Sequence, residues 1–245
     1  MRPVLGVGEP VPDFVAESTT AEELDCYETI DGAWSVILVI PKSFDAVFTS
    51  DLAALAALQR EFANRKVRVL AVSCDTRNGL QQWRREAQDI HSCPEIEFPL
   101  VADPDASIAD AFGLVSGDAT GPPRGLAPAS LLVVADPSRN VQFLSQYPST
   151  TGRNFEDLLR TLDALQLGGV RTGVNWMPGE DVFVRDEDPK GRNFFQIEPW
   201  FRLAPPPTDD DDDDVDTDDE AGAAASGASA SEDRLVAQSS YLTTS

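Results

Sequence analysis

Thiol chemistry is the chemistry that this sequence offers most directly, because a cysteine thiolate is a strong nucleophile. The chain contains three cysteines and one histidine. Cys93 lies two residues after His91 in the stretch HSCP, where a cationic imidazole could favour the thiolate. Cys26 lies in a predicted edge strand between acidic residues that keep a thiol protonated, and Cys74 follows an apolar stretch that predicts burial. Cys93 is therefore the candidate redox thiol, and the other two are predicted to be structural.

Other kinds of catalysis have few residues to use. A single histidine leaves almost nothing for mechanisms built on histidine pairs or triads. Three scattered cysteines predict neither a disulfide framework nor a zinc site, which agrees with a reducing compartment. We therefore expect no metal and no cofactor. We expect the cytoplasm, or alternatively the nucleus, because the N-terminus lacks the features of a signal or transit peptide.

The loop from Ile40 to Leu52, IPKSFDAVFTSDL, occupies a place where many α/β proteins put their chemistry. It follows the apolar run SVILVI, which predicts a strand buried on both faces. It leads into an Ala- and Leu-rich segment, which predicts a helix. The sequence therefore resembles an active-site loop whose reactive atom is missing, with Phe48 in the middle of it.

Strands alternate with helices along the rest of the chain. The predicted strands are 35–40, 66–73, 98–101, 130–134 and 141–146, and the predicted helices are 51–64, 78–90, 107–112 and 154–167. The last two strands flank the turn sequence DPSRN and predict a hairpin. A β-α-β-α order followed by a hairpin and a helix predicts an α/β fold, a thioredoxin-like sandwich around a mixed central sheet.

Four motifs along the chain occur in an order that resembles one family. They are LGVGEPVPDF at residues 5–14, the loop IPKSFDAVFTSDL, YPSTTGRNF at residues 147–155 and VNWMPGE at residues 174–180. Together they resemble the 1-Cys peroxiredoxin family. The resemblance implies a peroxiredoxin-type thioredoxin fold at residues 1–168, a small C-terminal extension at 169–207 and a homodimer formed through a sheet edge. Residues 208–245 then form a tail that its acidic and Ala/Ser-rich composition predicts to be disordered.

The resemblance also implies which residues would carry the chemistry. Family members attack a peroxide with a cysteine thiolate at a helix N-terminus, assisted by a threonine, a proline and an arginine. The family pattern P-x-x-x-T-x-x-C places the proline at Pro41, the threonine at Asp45 and the cysteine at Phe48. Counting back from Tyr147 places the arginine at Ser130. The chain thus resembles a divergent member that keeps the proline and lacks the peroxidatic cysteine.

These substitutions predict the loss of thiol peroxidase activity. Phe48 has no lone pair with which to attack a peroxide. Asp45 places a negative charge that would raise the pKa of a thiol restored there, and Ser130 offers no countercharge. We therefore expect a dimeric binding or structural protein. Two alternatives stay open: an antioxidant thiol peroxidase or peroxide sensor that uses Cys93, and a chaperone-like oligomer whose action needs no cysteine.

Charge limits the partners that the chain can have. The formal net charge is −23, and the stretch DDDDDDVDTDDE at residues 209–220 carries much of it. Because such a chain repels phosphate backbones, we expect no nucleic acid partner. The apolar runs are too short to span a bilayer, so we expect no membrane partner. The acidic tail is expected to act either as a solubilising segment or as a docking tail for a basic protein.

Overall fold

The computed structural model describes residues 5–116, 125–126, 129–185 and 201–207. The acidic tail, predicted above to be disordered, lies outside the described residues. No helix among those residues is both long enough and apolar enough to cross a membrane. In chain order the helices and strands are β1 (Val15–Ala16), β2 (Leu24–Asp25), α1 (Cys26–Ile30), β3 (Trp34–Ile40), α2 (Ala46–Asn64), β4 (Val67–Ser73), α3 (Arg77–His91), β5 (Leu100–Ala102), α4 (Ser107–Ala111), β6 (Val115–Ser116), β7 (Gly125–Leu126), β8 (Ala129–Ala135), β9 (Val141–Pro148), α5 (Phe155–Gln166), β10 (Val182–Arg185) and β11 (Phe201–Ala204).

Five of these strands form the central sheet, in the order β5-β4-β3-β8-β9. Strands β3, β4 and β5 are parallel to one another, and a helix connects β3 to β4 and β4 to β5. Strand β8 pairs antiparallel with β3, and β9 pairs antiparallel with β8. The predicted thioredoxin-like fold with a mixed central sheet is therefore confirmed.

Apolar side chains cover the sheet on both faces. Val36, Leu38 and Ile40 of β3 belong to one apolar cluster together with residues of α2, α3 and α5. Ile37 and Val39 belong to a second cluster, which includes residues of α1 and α4. Successive side chains of a strand point to opposite faces, so a strand in the middle of a sandwich must be apolar at nearly every position. The run SVILVI meets that requirement.

Helix α2 begins at Ala46, whereas the sequence predicted a start at residue 51. The Asp45 carboxylate caps the helix by accepting a hydrogen bond from the backbone N–H of Val47 at 3.0 Å. The Thr49 hydroxyl donates to the carbonyl of Asp45 at 2.6 Å. The prediction was wrong because the first turn, AVFTS, contains β-branched and aromatic residues of low helix propensity, and the cap overrides that propensity.

The region around Cys26 also differs from its prediction as an edge strand. Strand β2 ends at Asp25, and helix α1 begins at Cys26. The Asp25 carboxylate caps this short helix by accepting a hydrogen bond from the backbone N–H of Glu28 at 2.9 Å. The helix turns the Cys26 side chain into the core, where it is 0% exposed.

Strands β8 and β9 form the predicted hairpin. The Asp136 carboxylate organises its turn by accepting hydrogen bonds from the backbone N–H groups of Ser138 and Asn140, each at 2.9 Å. Strand β9 lies at the edge of the sheet. Its first residue, Val141, exchanges backbone hydrogen bonds with Gly8 and Glu9. From residue 142 to 148, no strand of the described ranges pairs with the outer side of β9.

Part of the predicted C-terminal extension is described. Trp176 is buried, and its indole N–H donates to the carbonyl of Glu180 at 3.0 Å. Arg160 of α5 donates to the carbonyl of Trp176 at 3.4 Å, which joins this segment to the preceding helix. Strands β10 and β11 pair antiparallel. The boundaries at residues 168 and 207 stay predictions.

Candidate functional site

Three of the predicted positions lie together where β3 ends and α2 begins. Pro41 is buried, Asp45 is the N-cap and Phe48 lies in the first turn of the helix. The Asp45 carboxylate also lies 3.7 Å from the Lys42 ammonium group. A helix N-terminus stabilises a negative charge through its free N–H groups and its dipole. Here the Asp45 carboxylate already occupies that place, so a second anion would gain less from it.

Phe48 is part of the hydrophobic core. Its side chain is 0% exposed, and it belongs to the apolar cluster that includes Leu52, Leu55 and Phe155. Enclosing a phenylalanine side chain contributes roughly 1.5–3 kcal/mol to the free energy of unfolding. The position that the family pattern assigns to a reactive sulfur therefore holds a buried ring.

Ser130, the fourth predicted position, is joined to α2 by a buried ion pair. The Ser130 hydroxyl accepts a hydrogen bond from Nη2 of Arg153. Nη1 of Arg153 donates to Oδ2 of Asp51 at 2.5 Å, and the backbone N–H of Arg153 donates to Oδ1 of Asp51 at 3.1 Å. The side chains of Arg153 and Asp51 are 2% and 3% exposed. We call Asp51, Arg153 and Ser130 the buried triad.

Burial disfavours both charges of the triad. Desolvation raises the pKa of Asp51, although its contacts with Arg153 act in the opposite direction. Desolvation likewise lowers the pKa of Arg153, against the effect of Asp51. Nε of Arg153 has no hydrogen-bond partner in the described part of the chain, and the guanidinium carbon lies 5.1 Å from the centroid of the Tyr147 ring. The guanidinium group of Arg153 therefore forms its ion pair with the Asp51 carboxylate.

Neither Asp51 nor Arg153 was predicted from the sequence to be a site residue. A signal was present, because Asp51 is an acid among the apolar positions Phe48, Leu52 and Leu55 of a predicted helix. An acid at a buried position needs a partner. The spacing within α2 could not identify that partner, because Arg153 lies 102 positions further along the chain.

Two cysteines lie in environments that disfavour the thiolate. Burial raises the pKa of Cys26 to about 12, and nearby carboxylates add to the effect. Burial also raises the pKa of Cys74 to about 12, and the Asp103 carboxylate, 3.8 Å from its sulfur atom, adds to it. Both thiols stay protonated at neutral pH.

Cys93, the candidate redox thiol, is half-buried against the core. Desolvation raises its pKa. Its sulfur atom lies 4.0 Å from the carbonyl oxygen of Ala87, and no hydrogen bond joins it to His91. The redox role of Cys93 stays a prediction, and the structure does not show the expected contact with the imidazole.

A groove of about 410 Å³ lies between the start of α2 and the second half of α3, and the loop from Ile40 to Leu52 supplies part of its lining. Trp83 is buried in this groove, and its indole N–H donates to the Thr49 hydroxyl at 2.9 Å. Phe44 and Ile90 are 50% and 69% exposed. We call this feature the α2–α3 groove, and its lining residues are Phe44, Ala46, Thr49, Trp83, Glu86, Ala87, Ile90 and His91.

The carboxylates at the ends of the parallel strands accept hydrogen bonds from backbone N–H groups. Asp103 accepts hydrogen bonds from the backbone N–H groups of Ile108 and Ala109 at 3.0 and 2.8 Å. Asp75 accepts one from the backbone N–H of Ser43 at 2.6 Å. Within the described ranges, no group of three or more histidine, cysteine, aspartate or glutamate side chains is placed to hold a metal ion.

The fold, the order of the motifs and the position of the loop from Ile40 to Leu52 define a peroxiredoxin-type protein. The chain belongs to the AhpC/TSA family, whose model matches residues 7–143. It is 30% identical over 217 residues to the mitochondrial peroxiredoxin PRX1 of Saccharomyces cerevisiae, covering 83% of this chain and 82% of that protein. It is 30% identical over 211 residues to a 1-Cys peroxiredoxin of Dictyostelium discoideum, covering 82% and 85%. The resemblance to 1-Cys peroxiredoxins is therefore confirmed.

Solved structures agree with this assignment. A yeast mitochondrial 1-Cys peroxiredoxin superposes with a TM-score of 0.71 at 27% sequence identity, covering 82% of this chain and 100% of that chain. A cysteine-to-serine mutant of peroxiredoxin 6 from Arenicola marina superposes with a TM-score of 0.72 at 26% identity, covering 83% and 99%.

Proposed function

We propose that this chain is a peroxiredoxin-fold protein that no longer reduces peroxides and that works as a homodimeric binding protein. The observation that carries the proposal is Phe48, which is 0% exposed in the first turn of α2. Peroxide reduction by this family begins with attack by a thiolate at that position. An enclosed phenyl ring has neither a nucleophilic atom nor an exposed edge at which a peroxide could react.

The surroundings of Phe48 support the same proposal. The Asp45 carboxylate accepts the N–H of Val47, which is one of the donors that would otherwise stabilise an anion at the helix N-terminus. Ser130 is neutral, and the nearby charge of Arg153 is paired with Asp51. A thiolate placed at residue 48 would therefore have a carboxylate nearby, while the charge of Arg153 is already paired with Asp51.

The antioxidant alternative draws its support from the relatives that are named peroxiredoxins. In this chain it would need a thiol outside the loop from Ile40 to Leu52. Cys93 is half-buried, and desolvation raises the pKa of its thiol. A raised pKa lowers the thiolate fraction at neutral pH, which slows attack on a peroxide.

The homodimer is proposed to form through the outer side of β9. Residues 142–148 of this strand present an edge with no strand beside it among the described residues. Edges of this kind pair readily with a second strand, and two copies related by a twofold axis would extend the sheet antiparallel. The side chains of Phe143, Leu144 and Tyr147 are half-buried, so apolar surface accompanies the backbone groups.

The acidic tail is proposed to attract a basic protein partner. Its charge follows from the sequence alone, since residues 209–220 contain only two residues that are not acidic. A charge of that density raises the local concentration of cationic partners and speeds their encounter at low ionic strength.

Restoring the three lost positions tests whether the site is a disabled peroxidase. The Phe48→Cys, Asp45→Thr, Ser130→Arg variant is expected to consume hydrogen peroxide at least about tenfold faster than Phe48→Cys alone, because the acid is removed and a countercharge is added. Stopped-flow kinetics measure the two rates. The matched control carries serine instead of cysteine at position 48. If the triple variant, folded by circular dichroism, is no faster than the single variant, Asp45 and Ser130 are not disabling positions.

A further inference from the structure

The α2–α3 groove plays no part in the proposed loss of activity, and no role has yet been assigned to it. Its volume of about 410 Å³ lies within the usual range of ligand clefts, which is roughly 300–1,000 Å³. Most of its lining is apolar, with Trp83 and Ala87 buried and with Phe44 and Ile90 exposed. Large apolar side chains that reach solvent on both sides of an apolar floor favour an apolar occupant.

Phe44 lines the groove and has an unusual backbone conformation. It adopts a left-handed conformation with φ of 55°, which is uncommon for a bulky side chain. Its two neighbours are fixed on either side, since the N–H of Ser43 donates to Asp75 and Asp45 caps α2. Strained residues that are fixed by their neighbours concentrate at functional sites. The Phe44 ring is 50% exposed, so core packing does not account for this strained conformation.

The charges around the groove are biased towards the negative. Glu86 lines the groove, and none of the ion pairs among the described residues includes it. Its carboxylate accepts a hydrogen bond from the side-chain amide of Gln82 at 2.7 Å. The Asp45 carboxylate, which is not part of the lining, is paired with Lys42 at 3.7 Å. His91 is the remaining titratable side chain of the lining.

We propose that the α2–α3 groove binds a short apolar segment of a partner protein that carries a lysine or arginine beside its apolar side chains. The apolar side chains cover Phe44 and Ile90 and rest on Trp83, and the basic side chain pairs with Glu86. The choice of a basic partner follows from the Glu86 carboxylate, which has no ion-pair partner among the described residues, and from the net charge of −23, which enriches cationic partners near this chain. The inference rests on the proposed function, because it names the class of partner that a binding protein of this fold would take.

The test uses three short peptides and the full-length protein labelled with ¹⁵N. The first peptide contains Leu and Phe flanked by lysines, the second replaces the lysines with glutamates, and the third keeps the lysines and replaces Leu and Phe with alanine. Titrations in about 150 mM salt, where charges separated by more than about 8 Å are screened, follow the indole N–H resonance of Trp83. Because this resonance reports the floor of the groove, binding at the acidic tail does not mimic the signal.

The first peptide is expected to shift the Trp83 resonance saturably. The glutamate and alanine peptides are expected to bind at least about tenfold more weakly, since one meets Glu86 with a like charge and the other lacks the apolar side chains. Equal affinities for the lysine and glutamate peptides would overturn the choice of a basic partner. No saturable shift with any peptide would overturn the site itself.

Surface substitutions locate the binding without disturbing the fold. Ile90→Ser is expected to weaken the first peptide at least about fivefold, whereas Val174→Ser, at a residue that is 91% exposed and outside the groove lining, is expected to leave it unchanged. Glu86→Gln is expected to abolish the preference for lysine over glutamate, with Glu97→Gln as its control. If Ile90→Ser instead dissociates the protein into monomers, the groove is an interface between copies and the inference is wrong.

Failure of the inference and failure of the proposed function give different results. A rapid reaction of the wild-type thiols with peroxide would refute the proposed function and leave these peptide titrations unaffected.

Discussion

A cysteine thiolate and a phenylalanine ring at residue 48 place opposite demands on their surroundings. A thiolate needs N–H donors and a countercharge, and a phenyl ring needs apolar neighbours. The structure supplies the second environment, because Phe48 packs in the cluster of Leu52 and Leu55 with no exposed surface. The side chain of Phe48 therefore contributes to the stability of the folded protein.

Truncating the ring measures that contribution. Phe48→Ala is expected to lower the free energy of unfolding by about 3–5 kcal/mol, because it removes buried carbon and leaves a cavity. Phe44→Ala is the matched control, and it is expected to cost less than about 1 kcal/mol, since Phe44 is 50% exposed. Urea denaturation followed by circular dichroism measures both variants. Similar small losses for the two variants would contradict the assignment of Phe48 to the core.

The Asp51–Arg153 pair gives a second prediction at this scale. Asp51→Leu and Arg153→Met are each expected to cost about 3–5 kcal/mol, because each leaves one buried charge without its partner. The double variant is expected to lie within about 2 kcal/mol of the wild type, since desolvation opposes both charges and apolar side chains avoid that cost. A double-mutant cycle from urea denaturation provides the comparison.

An exposed ion pair serves as the control for this cycle. Arg139 and Asp31 lie 2.8 Å apart, with side chains 36% and 67% exposed. Asp31→Asn is expected to change the free energy of unfolding by less than about 1 kcal/mol. If the costs of the two buried substitutions simply add in the double variant, the side chains of Asp51 and Arg153 are not coupled as the structure indicates.

Strand β9 lies at one edge of the central sheet and is the proposed dimer interface. The inner side of β9 pairs antiparallel with β8. Beyond Val141, its outer side has no partner strand among the described residues. Sheet edges without protection associate with other strands. The half-buried side chains of Phe143 and Leu144 make this edge more suitable for a second copy than for solvent alone.

A charge in the middle of β9 tests the proposed dimer. Ser145→Lys is expected to weaken dimerisation at least about tenfold, because antiparallel pairing about a twofold axis brings the two new lysines close together. Ser50→Lys, on the exposed surface of α2, is the matched control and is expected to leave the dimer intact. Sedimentation equilibrium measures the dissociation constants. Equal constants for both variants and the wild type would exclude β9 as the interface.

The whole chain is strongly acidic, and nearly half of its net charge lies in the tail. Residues 208–245 contain twelve acidic side chains and one arginine, so their removal changes the formal net charge from −23 to −12. The remaining chain is still acidic. Both parts therefore favour cationic partners, with the higher charge density in the tail.

Truncation of the tail tests its role in binding. A chain that ends at Pro207 is expected to lose at least about tenfold in affinity for a fluorescent polylysine peptide at about 50 mM salt. A chain that ends at residue 220 keeps the acidic run and is expected to bind as tightly as the full chain. Fluorescence anisotropy measures the three affinities. Equal binding by the chain that ends at Pro207 would show that the tail does not attract basic partners.

Patterns local to the chain were sufficient to predict most of the fold. The run SVILVI predicted β3 because a strand buried on both faces must be apolar throughout. The turn sequence DPSRN between two strand patterns predicted the β8–β9 hairpin, and the Asp136 side chain proves to organise that turn. The start of α2 was missed because Asp45 acts as a cap before residues of low helix propensity. Cys26 was assigned to a strand because the pattern of a five-residue helix is too short to recognise.

The site was only partly predictable from the sequence. Pro41, Asp45 and Phe48 are close in sequence, so one loop pattern identifies all three. The link from Ser130 through Arg153 to Asp51 depends on tertiary structure, because residues far apart in the chain meet only after the sheet has formed. The α2–α3 groove is likewise formed by two helices, and Phe44 and Ile90 carry no mark in the sequence that predicts their exposure.

The rate at which wild-type thiols react with dilute hydrogen peroxide tests the central claim most directly. The account predicts a second-order rate constant no greater than that of a small free thiol, because Phe48 cannot react and burial raises the pKa of all three cysteines. Cys93→Ser is then expected only to lower this already slow rate, because the thiols of Cys26 and Cys74 stay protonated. A rate far above that of a free thiol, abolished by Cys93→Ser, would contradict the account and establish Cys93 as a replacement redox centre.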